Sequence, residues 1–190
     1  LSMNALKRVL KGQYYVIALD FQDIDFDVFI TGGDFTQTFA QLILDEHEFS
    51  DMPIPEEYYK ALEKIAGTEP DRIKMHELFR IIRRWCMNSD KPIVLMIDEV
   101  DSAANNQVFL DFLALLRSLY IKRQGDPRQK TFHSVILAGV TDIRLLKYKI
   151  GSTETNKENS PWNISAEFSV DMLLYEKGIK GMLDEYESDH

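Results

Sequence analysis

The stretch Ile93-Val-Leu-Met-Ile-Asp-Glu-Val-Asp101 decides how this chain is read. Five consecutive apolar residues, Ile93 to Ile97, predict a strand covered on both faces, as central strands of parallel sheets are, with an acidic cluster at its carboxyl end. Working outward, Tyr14 to Leu19 and Phe132 to Ala138 have the same character. Helical spacing fills the intervals. Met3, Leu6, Val9 and Leu10 form one stripe, stopped by Gly12, and Phe35, Phe39, Leu42 and Ile43 form the next. After Pro53 and Pro55 come Tyr58, Tyr59, Leu62 and Ile65, then a helix expected over Asp71 to Cys86, and then Phe109, Phe112, Leu113, Leu116 and Leu119. Strands and helices alternate with connections long enough to cross over a sheet, which argues for a three-layer α/β domain with a mainly parallel sheet. Further along, Gly151 to Pro161 reads as a loop, Glu167 to Val170 as a short strand and Glu176 to Glu187 as a last helix.

Length and composition bound the rest. With 190 residues, 45% of them apolar, the chain is large enough for one core and too short for a second full catalytic domain. Thirty-one acidic residues against 22 basic ones give a net charge of -9, which disfavours nucleic acid or acidic lipid as a partner of the whole surface. One cysteine, Cys86, excludes an internal disulfide framework, and no apolar run is long enough to span a bilayer. The expected setting is reducing and cytoplasmic, with no membrane.

Ligands of open parallel sheets sit beyond the carboxyl ends of the strands. Asp98 and Glu99 stand there, where one carboxylate can hold Mg²⁺ and its neighbour can orient a water against a phosphate, the pattern of a Walker B strand. The blander alternative is a pair of acids capping the next helix, a part open to Asp101 on either reading.

Taken together, Tyr15 to Gln22, Ile93 to Ser102, Ser134 to Arg144, Ser160 to Ile164 and Met182 to Glu187 resemble the AAA-like P-loop ATPase domains of prokaryotes, a group close to the STAND ATPases. The resemblance implies a P-loop NTPase-like fold that takes ATP and Mg²⁺. It implies that Asp98 serves the metal, that Glu99 serves the attacking water, and that Thr141 lies near the position that senses the γ-phosphate. Asp142 and Arg144 would position a phosphate or a neighbouring segment. It divides the chain into a core over residues 1–174 and a C-terminal helix over 175–190, the start of a lid or downstream domain.

The departure from that pattern is the phosphate-binding loop. No Gly-x-x-x-x-Gly-Lys-Ser/Thr occurs in the 190 residues. The nearest imitation, Gly125 to Thr131, has Lys130 where the second glycine belongs, and Pro127 has no N–H to offer. In relatives the helix near Leu1 directly follows Gly-Lys-Thr, so the first strand and its loop are expected to be missing here and the chain alone to bind nucleotide weakly or not at all. Without that strand the Phe132 to Ala138 strand would keep an open edge unless Glu167 to Val170 closes up beside it or another chain supplies a strand, so a self-associating or partially rearranged sheet is expected. Two rival functions are a non-catalytic protein-interaction or scaffold domain and a nucleic-acid-binding module.

Other signals weigh less. Asp23, Asp25 and Asp27 imitate a calcium loop but lack its glycine, Val28 standing in its place. The four histidines have no ligand spacing to one another or to Cys86, which reads as a core residue. Arg80, Arg83 and Arg84, and separately Lys122, Arg123, Arg128 and Lys130, are the basic stretches that nucleic acid would use. Trp85 is expected in the core and Trp162 as the anchor of a loop.

Overall fold

The computed structural model describes residues 3–22, 24–50, 52–103 and 106–139. The elements are α1 (Met3–Leu10), β1 (Tyr15–Asp20), α2 (Gly32–Phe49), α3 (Glu56–Ala66), α4 (Met75–Asn88), β2 (Ile93–Asp98), α5 (Gln107–Gly125) and β3 (Ser134–Leu137). Short 3-10 turns at Phe26–Phe29, Pro70–Arg72 and Val100–Ser102 punctuate them. The expected strand at Glu167 to Val170, the loop at Gly151 to Pro161, the last helix and Trp162 lie outside the described residues.

Three parallel strands form the sheet in the order β1-β2-β3, with Tyr15 beside Ile93, Asp20 beside Asp98, and Val94 beside Ser134. Ile93 to Ile97 are all buried, as a strand apolar on both faces requires. The pleat sends alternate residues to opposite sides. Ile17, Leu19, Ile93, Leu95 and Ile97 face a large aromatic core built from α2, α3, α4 and α5. Val16, Val94 and Met96 face the other way, toward Met3, Leu6 and Leu10 of α1. This is the α/β arrangement of helix, parallel sheet and helix, consistent with a P-loop NTPase-like three-layer fold.

The aromatic core has Phe112 at its centre, fully buried, with the rings of Phe35 and Phe39 each 5.2 Å away, Phe79 at 5.7 Å and Phe109 at 5.8 Å. Trp85 and Cys86 are buried there as well, and burial pushes the Cys86 thiol from 9.0 up to about 12.

Several boundaries differ from the sequence reading. Helix α4 begins at Met75 rather than Asp71, because Pro70 starts a 3-10 turn and Ile73 is extended, at φ -117° and ψ 152°. Strand β1 is shifted by one residue, to Tyr15–Asp20, and β2 runs one residue further, to Asp98. Strand β3 covers only Ser134–Leu137 and is half-exposed where a buried strand was expected, since among the described residues nothing pairs with its outer edge.

Candidate functional site

The carboxyl ends of the strands carry the acids. Asp20 closes β1, and its Oδ1 accepts the Gln22 amide at 2.8 Å, so this carboxylate folds the chain into the following turn. Its ladder partner Asp98 closes β2 and is half-buried, with Oδ1 accepting the Glu99 amide at 3.0 Å.

Glu99 then takes φ 53° and ψ 41°, the left-handed region, the sole non-glycine residue among those described to do so. That conformation costs an L-residue roughly 1–2 kcal/mol, and it persists because both sides of the turn are fixed. The Asp98 carboxylate holds the Glu99 amide, Val100 N–H donates to the Ala138 carbonyl at 3.1 Å, and the Val100 side chain is buried. The Glu99 side chain is exposed at the sheet end and makes no capping hydrogen bond to the turn that follows.

The acids do not stand at the cap of the next α-helix. Helix α5 starts at Gln107, with Asn106 as the residue preceding it, well beyond the acids. Asp101 sits inside the Val100–Ser102 turn, not at the start of α5, and packs on the chain leaving β3. At Gly139 an added Cβ would stand 2.5 Å from Asp101 Oδ2 and 3.0 Å from Val100 Cγ2, so a side chain there would make the Asp101 carboxylate shift. Thr141, Asp142 and Arg144 follow in the sequence, outside the described residues.

Helix α1 returns into β1 through a tight turn, Tyr14 N–H donating to the Leu10 carbonyl, and packs antiparallel on the strand. Its positive, N-terminal end consequently points toward the strand ends that carry Asp20 and Asp98. Among the described residues no three His, Cys, Asp or Glu side chains converge as a metal cage. Mg²⁺ does not ask for one, since it is bound through one or two carboxylates together with substrate phosphates and water, and the half-buried Asp98 at the strand end fits that demand.

The other sequence candidates fall elsewhere. In the Gly125 to Thr131 turn the amides are already used: Arg128 N–H bonds Asp126 Oδ1, Gln129 N–H the Asp126 carbonyl, and Lys130 N–H the Arg128 carbonyl. No phosphate cradle is left there. Arg123 donates to the carbonyls of Phe132 and His133 at 2.6 and 3.0 Å, Arg128 pairs with Asp126, and Arg83 reaches Gln129 at 3.4 Å, so these cations serve the chain's own structure. Asp25 and Asp27 are exposed around the Phe26–Phe29 turn. The left-handed Glu99 and the glycine contact at Asp101 were not found from sequence. Glutamate is not a residue that signals positive φ, although Gly139 straight after an apolar strand was a legible hint.

A family model described as an AAA-like domain matches residues 1–176. No curated protein and no solved structure matches the chain. Among the described residues no helix is long and apolar enough to cross a membrane.

Proposed function

The chain belongs to the AAA-like domain family of P-loop NTPase character, and from that premise we propose that the acidic end of β2 is the hydrolytic half of an ATP site. Asp98 holds Mg²⁺ and Glu99 directs the attacking water. The observation that carries this reading is the left-handed Glu99: a strained backbone, fixed by hydrogen bonds on both sides, that presents an exposed carboxylate beyond the central strand. Strain held in place at a strand end is expected of a group positioned for chemistry rather than for packing.

When bound, Mg²⁺ supplies charge neutralisation for the phosphates. The chain's own share is to hold that ion at Asp98, to keep Glu99 fixed so that it accepts a hydrogen bond from water in line with the phosphate, and to offer the positive end of α1 to anionic oxygens. Thr141 is assigned to γ-phosphate sensing, and Asp142 and Arg144 to positioning the phosphate or a neighbouring segment. A core over residues 1–174 is followed by 175–190 as the beginning of a lid or downstream module.

The 190 residues include no Gly-x-x-x-x-Gly-Lys-Ser/Thr motif, so this polypeptide alone is expected to bind Mg-ATP weakly. The outer edge of β3 is the place where a further parallel strand, from a preceding segment or from a second copy, would complete the sheet. Calorimetric titration with Mg-ATP tests this directly. The chain alone should give little heat, and the chain preceded by a strand and a Gly-x-x-x-x-Gly-Lys-Thr loop should bind in the micromolar range or better. Failure of the extended chain to bind overturns the reading.

A further inference from the structure

Two surfaces of opposite charge, each bearing an exposed apolar side chain, stand at opposite ends of the fold. The first is the 3-10 turn Phe26–Phe29 that follows β1. Phe29 pins it, buried with its ring 6.1 Å from Phe21 and 5.8 Å from Phe35, and Val28 N–H closes the turn on the Asp25 carbonyl at 3.1 Å. On this fixed base Phe26 and Ile30 are 67% and 64% exposed, and the exposed carboxylates of Asp25 and Asp27 flank Phe26. Among the described residues neither carboxylate is spent on a hydrogen bond or an ion pair.

The second surface is the outer stripe of α4. His76, Arg80 and Arg84 recur every four residues and Met87 follows one turn after Arg84, so all four share one face. Each is exposed, Met87 by 46%. The helix carries one carboxylate, Glu77, in its first turn, and among the described residues Arg80 and Arg84 have no carboxylate partner. Arg83 reaches Gln129 instead and takes no part here. Because α4 passes into β2 through residues 89–92 alone, its Arg84 end lies at the amino end of the sheet, whereas the Phe26 turn follows the carboxyl end. The two surfaces therefore do not meet within one chain.

We infer that the chain associates with itself head to tail, the acidic turn of one copy seated on the arginine stripe of the next. Single exposed apolar residues are ordinary on any surface. Here an exposed aromatic on a pinned turn is flanked by unspent negative charge, and the same molecule offers unspent positive charge beside an exposed methionine. Phe26 packs on Met87, a favourable sulfur–aromatic contact, while Asp25 and Asp27 take the guanidinium groups of Arg80 and Arg84, whose planar fork matches a carboxylate. Different surfaces of the two copies are used, so the contact is heterologous and extends past a pair. A nucleic acid would use the arginines alone and leave the Phe26 turn bare, and the excess of acids over bases, 31 to 22, opposes it. Exposed ion pairs contribute little each, so half-association is expected on the order of 0.1 mM and weakens with salt. Neither the outer edge of β3 nor the nucleotide reading enters.

Sedimentation velocity from about 10 μM to about 1 mM should show the average mass rising with concentration at low salt and falling back at high salt. Asp25→Lys with Asp27→Lys should weaken association at least about tenfold, and Arg80→Glu with Arg84→Glu likewise. Mixed in equal amounts, the two variants should associate again with near-parental affinity, since each offers the charge that the other's altered surface now needs. Both keep a net negative charge, so general attraction between them would not produce that result. Phe26→Ser should weaken association with no change of charge, and as a substitution of an exposed side chain it keeps the test valid if a charge variant fails to fold. A parent chain that stays monomeric throughout, a mixture that stays monomeric, or association that survives all three variants, as pairing through the edge of β3 would, overturns the inference.

Discussion

The two ends of the sheet are built from the same three strands and gather opposite charge. At the carboxyl end Asp20, Asp98, Glu99 and Asp101 gather around a strained turn; at the amino end Lys7, Lys11 and Lys91 gather around a hollow. Between them Ile93 to Ile97 are sealed in the core. The strand interior is buried on both faces and admits only apolar groups, whereas its ends leave the sheet and are free to carry charge. Chemistry collects where packing stops deciding.

That contrast can be broken in the middle. Phe112→Ala removes the ring that four other phenylalanines surround, and should cost about 3–5 kcal/mol in denaturant unfolding, loosening both ends together. A loss below about 1 kcal/mol would mean that the aromatic core does not hold the sheet.

A sharper cut affects one end alone. Gly139→Ala forces a methyl against Asp101 and Val100 and should destabilise by about 1–3 kcal/mol. Amide exchange should quicken at Glu99 and Val100 while Lys91 keeps its protection. Equal quickening at both ends would deny their independence.

The buried thiol supplies a control that touches neither end. Below pH 9.0 the folded and unfolded chains both carry neutral Cys86; above it the unfolded chain alone ionises, until the folded thiol follows at about 12. Stability should therefore fall with rising pH in that window by about 1.4 kcal/mol per unit relative to Cys86→Ala. Parallel pH profiles for the two proteins would place the thiol in a more solvated setting.

The smallest effect is a gain. Glu99→Gly relieves the left-handed backbone, but glycine also loses more freedom on folding, so a net stabilisation of about 1 kcal/mol or less is expected. A clear destabilisation would show that the Glu99 side chain supports the fold.

Most of the frame was legible in the sequence because burial on both faces writes itself as an uninterrupted apolar run. Ile93 to Ile97 announced β2, and the acids marked its end. The start of α4 was misread because the apolar Ile73 fits a helical stripe while Pro70 turns the chain first. The half-exposure of β3 follows from the open edge that the resemblance implied and not from its own residues, since it depends on what pairs beside them. The conformation of Glu99 and the lysine hollow were hidden for the same reason: one is held by amide hydrogen bonds donated to the Ala138 carbonyl and the Asp98 carboxylate, and the other joins residues more than 80 positions apart.

Whether the strained carboxylate performs the chemistry is tested by turnover. In the chain preceded by a strand and phosphate-binding loop, Glu99→Gln should retain Mg-ATP affinity and lose hydrolysis by about a hundredfold or more. Turnover equal to that of the parent would remove Glu99 from the reaction, and with it the account of why the backbone is held in that conformation.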